Sequence, residues 1–127
     1  MPLIHLQRSE GLSAEMADAI AERLTGITRD VLGKDPKVTV VRIDAPLHES
    51  RLYVDAATAG PTICTLSIQI TAGSNTVEEK TSWLSEVASL LEIKQSDVPN
   101  YITIHEIPGA DWGFNGLSQT SRKELPK

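Results

Sequence analysis

The sequence predicts an α+β fold: a tandem βαβ repeat forming a four-stranded mixed sheet with two helices on one face. Three observations predict it. Two alternating segments, Leu3–Arg8 and Pro61–Thr71, are each followed by a helix-period segment and then by a second alternating segment, Val38–Ile43 and Tyr101–Ile107. Proline opens each unit, at Pro2 and Pro61, and another precedes each unit's second strand, at Pro36 and Pro99. A crossover of helical length makes the two strands it joins parallel. Two such units make one sheet related by a pseudo-twofold, within a single domain over 1–127: repeats at 1–45 and 61–107, a linker at 46–60, and a C-terminal element at 108–127.

The elements follow in order. Leu3–Arg8 sends Pro2, Ile4, Leu6 and Arg8 to one face and Leu3, His5 and Gln7 to the other. Ser13 suits a helix cap and Glu15 the first turn. The helix over Ala14–Leu32 carries Met16, Ile20, Leu24, Ile27 and Val31 as its apolar stripe, and Gly33 ends it. Val38–Ile43 is the second strand. Arg51–Val54 reads as a short strand and Ala56–Gly60 as a connector. In the second unit, Cys64, Leu66, Ile68 and Ile70 share a face; Thr76 and Glu79 form a capping box for a helix over Val77–Glu92; and Tyr101–Ile107 is the last main strand. Helices on one side leave Ile63, Thr65, Ser67, Tyr101 and Thr103 on the other. That mix is too apolar for full solvation and too polar for a core, so a homo-oligomer is expected to cover it.

Composition excludes several classes. The chain has 127 residues and a net charge of −5, with no basic run and no aromatic-basic stripe, which argues against nucleic acid as a partner. No apolar stretch approaches the ~20 residues that span a bilayer, and the start lacks the pattern of a signal peptide. Cys64 stands alone in an apolar run, which suits a reducing, cytoplasmic setting. His5, His48 and His105 lie on separate elements with no close ligand pair, so no metal site is expected.

The opening stretch Pro2-Leu3-Ile4-His5-Leu6, with Glu10-Gly11 after it, resembles the start of 4-oxalocrotonate tautomerase. Gly33-Lys34-Asp35-Pro36, Cys64-Thr65-Leu66 and Tyr101-Ile102-Thr103 resemble stretches of macrophage migration inhibitory factor, and Ala110-Asp111-Trp112-Gly113-Phe114 is similar to one in malonate semialdehyde decarboxylase. In order and spacing, these motifs resemble the tautomerase superfamily over nearly the whole chain. The resemblance implies a trimeric barrel with sites between subunits. It also implies a cofactor-free tautomerase or isomerase of a small enol, dienol or 2-oxo acid, with the mature N-terminal proline as general base and acid.

That role gives Pro2 a physical requirement. Removal of Met1 would leave a secondary amine, and a free α-amino group titrates near pH ~7.7–8.0 before an apolar site lowers it further. If Met1 stays, the Pro2 nitrogen is an amide and Pro2 is only a strand-start proline. The partner is expected to be a small carboxylate-bearing substrate, held by a cation. Lys34 matches the inhibitory-factor lysine, and it equally suits a helix C-terminal cation. Arg42 and Arg8 are the other candidates; Arg8 lies six residues from Pro2, about 20 Å along a strand, and would serve only a neighbouring subunit's site. Tyr101 could donate to a substrate oxygen, and Trp112 could cover a pocket mouth. Against this, Leu12, Thr39 and Ala72-Gly73-Ser74 stand where relatives carry substrate-binding arginines. Those departures favour the alternative, a non-catalytic trimeric binding or scaffold protein of the same fold.

Overall fold

The computed structural model describes residues 2–44, 53–58 and 63–123. Strand β1 (Leu3–Arg8) leads into α1 (Ala14–Leu32), a 3₁₀ turn (Pro36–Val38) and β2 (Val40–Ile43). A small hairpin, β3 (Tyr53–Val54) and β4 (Ala57–Thr58), follows. Then come β5 (Cys64–Thr71), α2 (Val77–Leu90) and β6 (Tyr101–Ile107), and last β7 (Gly113–Phe114), β8 (Leu117–Ser118) and the short α3 (Gln119–Lys123). The main sheet has the order β2-β1-β5-β6. β1 runs parallel to β2, β5 runs parallel to β6, and the two pairs meet through the antiparallel β1–β5 ladder, with Ile4 opposite Ile68 and Leu6 opposite Leu66. This is the doubled βαβ arrangement expected from the sequence.

Local chemistry sets the element ends. Ser13 Oγ accepts from Met16 N at 3.2 Å, closing the first turn of α1. Gly33 takes the left-handed conformation (φ 68°) that ends the helix, and its N–H returns to the Arg29 carbonyl at 3.0 Å. The second strand starts at Val40 rather than Val38. Asp35 accepts from Lys37 N, and Pro36, which has no N–H to leave unpaired, starts a 3₁₀ turn there. The capping box of α2 is complete: Glu79 N donates to Thr76 Oγ1 at 3.1 Å and Thr76 N donates to Glu79 Oε1 at 2.8 Å.

Both helices cover the same sheet face. Ile4 and Leu6 from β1 and Leu66, Ile68 and Ile70 from β5 meet Leu24 of α1 and Trp83 and Val87 of α2 in one buried cluster. Each such side chain contributes roughly 1.5–3 kcal/mol when fully buried. The inward stripe of α1 is rotated from the predicted one. Leu24, Thr28 and Leu32 are buried, Ile20, Ile27 and Val31 flank them, and Met16 is 54% exposed. Thr28 there faces Trp83: the indole N–H needs an acceptor once buried, and Thr28 supplies one. Ile63, expected on the bare face, is buried instead.

The C-terminal segment folds as a hairpin. Asn115 and Gly116 both have positive φ, 53° and 89°, as a two-residue turn of this type requires. Gly113 permits the close pass of its two strands: a Cβ there would lie 1.8 Å from the Leu117 carbonyl oxygen. Arg122 locks the end, with its guanidinium 3.6 Å over the Phe114 ring and Nη2 donating to the Phe114 carbonyl at 2.6 Å. Among the described residues, no helix is long and apolar enough to cross a membrane.

Candidate active site

Pro2 is buried at the start of the central strand β1. Its carbonyl accepts from Val40 N at 3.1 Å, which continues the β1–β2 ladder one residue past Leu3. The register with β5 pairs Leu3 with Gln69, so Pro2 begins at the sheet end where β5 stops at Thr71. The parallel crossovers bring the C-terminus of α1 and the end of β6 to this same end.

Lys34 sits here, just past the Gly33 cap. Its Nζ donates to Ser74 Oγ at 2.8 Å, and Ser74 Oγ donates in turn to the Thr71 carbonyl at 2.5 Å. Asn75 Nδ2 donates to the Leu32 carbonyl at 2.9 Å, pinning the last turn of α1 to the β5–α2 turn. Burial pushes the Lys34 ammonium below its ordinary value; the carboxylates of Glu79 and Glu106 oppose that shift and Lys123 of α3 adds to it. Glu106 is held below the usual carboxylate range mainly by its hydrogen bond from Lys80 Nζ.

Trp112 joins the same end. Its Nε1 donates to Thr71 Oγ1 at 3.2 Å, and its carbonyl accepts from Gln119 N at 2.9 Å. Thr71 therefore ties two of the sequence-predicted residues: its backbone holds Ser74 beneath Lys34, and its side chain holds Trp112.

The other candidates lie elsewhere on the protomer. Arg8 lines a cleft of about 280 Å³ at the opposite end of the sheet, with Leu12, Met16, Ile20, Arg23 and Leu90. It interacts with the buried Cys64, whose thiol is pushed up by that burial. Tyr101 starts β6 at that far end, 67% exposed on the bare face, where it borders a hollow with His5, Gln7, Thr65, Ser67 and Thr103. Arg42 projects from β2 beside His5, and its Nε donates to Asp44 Oδ1 at 3.1 Å. Asp44 also accepts from Gln7 Nε2 at 2.9 Å and lies 3.0 Å from His5 Nε2. The hydrogen bonds from Gln7 and then His5 hold its carboxyl below the usual range.

Pro2, Lys34 and Trp112 thus lie at one end of the sheet, while Arg8 and Tyr101 lie at the other and Arg42, on β2, pairs with Asp44. Sequence reasoning missed Thr71, Ser74 and Asn75. The signal available was the capping box directly after the turn, which fixes the turn's geometry against α2.

Several solved structures are similar to this arrangement. A native fused 4-OT superposes with a TM-score of 0.78 at 21% identity, covering 96% of this chain and 99% of that one. A malonate semialdehyde decarboxylase inhibited by 3-bromopropiolate gives 0.71 at 23%, covering 97% of each chain. The chain shares the fold of these proteins. A macrophage migration inhibitory factor-like protein from Entamoeba histolytica shares this fold at a TM-score of 0.69 and 15% identity, covering 90% of this chain and 95% of that one. No family profile and no curated protein sequence matches the chain.

Proposed function

We propose that the protein is a tautomerase or isomerase of a small enol, dienol or 2-oxo acid, with Pro2 as its general base and acid. The observation that carries this reading is the burial of Pro2 at the sheet end that also holds Lys34 and Trp112, in a tautomerase fold. Loss of Met1 frees the secondary amine, and desolvation at this buried position disfavours its charged form. The amine takes the enol hydroxyl proton and leaves an enolate. The oxygen lone pair then closes the C=O bond as the C=C π pair takes a proton from the prolinium at carbon, and the amine is regenerated. Lys34 holds the substrate carboxylate and Trp112 covers the site.

The proposed assembly is a homotrimer. Fused 4-OT structures similar to this chain are described as trimers, and the bare face of the sheet offers the covering surface. In such an assembly Tyr101, Arg8 and Arg42 serve a neighbouring protomer's site. The competing reading is a non-catalytic trimeric binding or scaffold protein, favoured by Leu12, Thr39 and Ala72-Gly73-Ser74 standing where the resemblance expects arginines.

Intact mass and a ketonisation assay separate the two. The enzyme reading expects a species lighter by one methionine, phenylenolpyruvate turnover, and a loss of at least about a hundredfold in Pro2→Ala, in keeping with the contribution of a positioned general base. A mature chain that keeps Met1, or a fully active Pro2→Ala protein, rules out the proline mechanism.

A further inference from the structure

We infer that Ser74 is a positioning residue for the substrate carboxylate: its hydroxyl orients the Lys34 ammonium so that the remaining N–H donors receive the anion. The inference rests on the carboxylate-binding role proposed for Lys34 and adds a residue to it. The Ser74 hydroxyl proton is committed to the Thr71 carbonyl at 2.5 Å, so the lone pairs of Oγ are left to accept. Lys34 Nζ fills one of them at 2.8 Å. An ammonium has three donors, and among the described residues the Lys34 Nζ makes no hydrogen bond besides the one to Ser74.

The nearby carboxylates do not take those donors. Glu79 Oε1 is engaged by Thr76 N at 2.8 Å and by Asn75 Nδ2. Glu106 accepts from Lys80 through Oε1 and from Gly73 N through Oε2. Lys34 is therefore a partly desolvated cation with its direction fixed by Ser74 and, among the described residues, no partner for its two other donors. A charge-assisted bond to a carboxylate is the interaction this arrangement lacks and would gain most from. The same Thr71 that fixes Ser74 also holds Trp112, so the carboxylate anchor and the site cover share one rigid support at the end of β5.

Steady-state ketonisation of phenylenolpyruvate by Ser74→Ala and Ser74→Thr tests the role. Ser74→Ala is expected to raise KM about five- to tenfold with kcat within about twofold, and Ser74→Thr to restore KM. Equal KM in wild type and Ser74→Ala overturns the inference, as does a kcat loss that Ser74→Thr fails to rescue. A second readout is independent of turnover: titration of benzoate followed by the Lys34 Cε resonance. Wild type and Ser74→Thr should respond at benzoate concentrations several-fold lower than Ser74→Ala. If the wild type shows this response but no ketonisation, the enzyme reading fails while the Ser74 assignment stands. If benzoate leaves the wild-type resonance unmoved, or moves it equally in Ser74→Ala, the assignment fails whatever the activity.

Discussion

The Trp83 indole N–H donates to Thr28 Oγ1 at 3.1 Å, linking α2 to α1 where both residues are wholly buried. Thr28→Val keeps the shape and removes the acceptor, leaving the N–H unsatisfied out of water. The expected cost is about 1–3 kcal/mol in urea unfolding. In a Trp83→Phe background the same substitution should cost much less, because no donor is left behind. Equal costs in the two backgrounds would show that the bond contributes nothing.

Lys34 gives a separation of stability from binding. Its ammonium titrates below the ordinary lysine value because it is partly buried. Between the folded and unfolded values the unfolded chain binds more protons, so this group's unfavourable contribution is full below the folded value and relieved as pH rises through the window. Lys34→Met should therefore melt at or above the wild-type temperature at pH 7, with the difference narrowing toward pH ~10. Its KM for phenylenolpyruvate should rise at least about tenfold if Lys34 binds the carboxylate. Thermal scans across that pH range and one kinetic series check both halves.

Asp44 carries the opposite sign. Hydrogen bonds from Gln7 and then His5 depress its carboxyl. That stabilisation is complete above the unfolded value of ~3.9 and is lost as pH falls through the folded one. Asp44→Asn should be less stable than wild type at pH 7, with the two converging as pH falls through the folded-state value of Asp44. Urea midpoints measured along that titration decide it, and a gap that persists unchanged in acid would count against the linkage.

The bare sheet face makes a prediction about assembly. Ser67 lies on it between His5 and Thr103, opposite one on β1 and the other on β6. A glutamate at this position would place a charge on the surface that the proposed trimer buries. Ser67→Glu is expected to shift the molecular mass measured by light scattering toward one chain, with far-UV circular dichroism unchanged. A trimer surviving this change would mean that subunits meet elsewhere.

Most of the fold was legible because it rests on period and punctuation. Alternation marked β1, β5 and β6, whose bounds differ from expectation only at Cys64, and Ser13, Gly33 and Thr76 marked three of the four ends of α1 and α2, with α2 stopping at Leu90 rather than at the expected Glu92. What failed to show was anything set by a single long-range partner. Thr28 reads as an ordinary helix threonine until Trp83, 55 positions away, requires its oxygen. The expected strand over 51–54 is described only at Tyr53–Val54, where it pairs with Ala57–Thr58; Arg51 and Leu52 lie outside the described residues, as do Met1, His48 and Pro61. At the candidate site, the sequence named Pro2, Lys34 and Trp112 but not the turn that joins the last two. Ala72-Gly73-Ser74 drew notice only for the arginines it lacks, and a serine that orients another residue's cation has no local signature.

The β1–β5 ladder has a further consequence. The two βαβ halves meet along this central seam and through packing of α1 on α2, and β1 and β5 belong to different halves. Each half is therefore a nearly self-contained piece whose missing surface is the other half. Peptides covering 2–44 and 63–123, made separately, would have the same register to find. The strength of their association would report how much of the native state the seam supplies without a covalent tether.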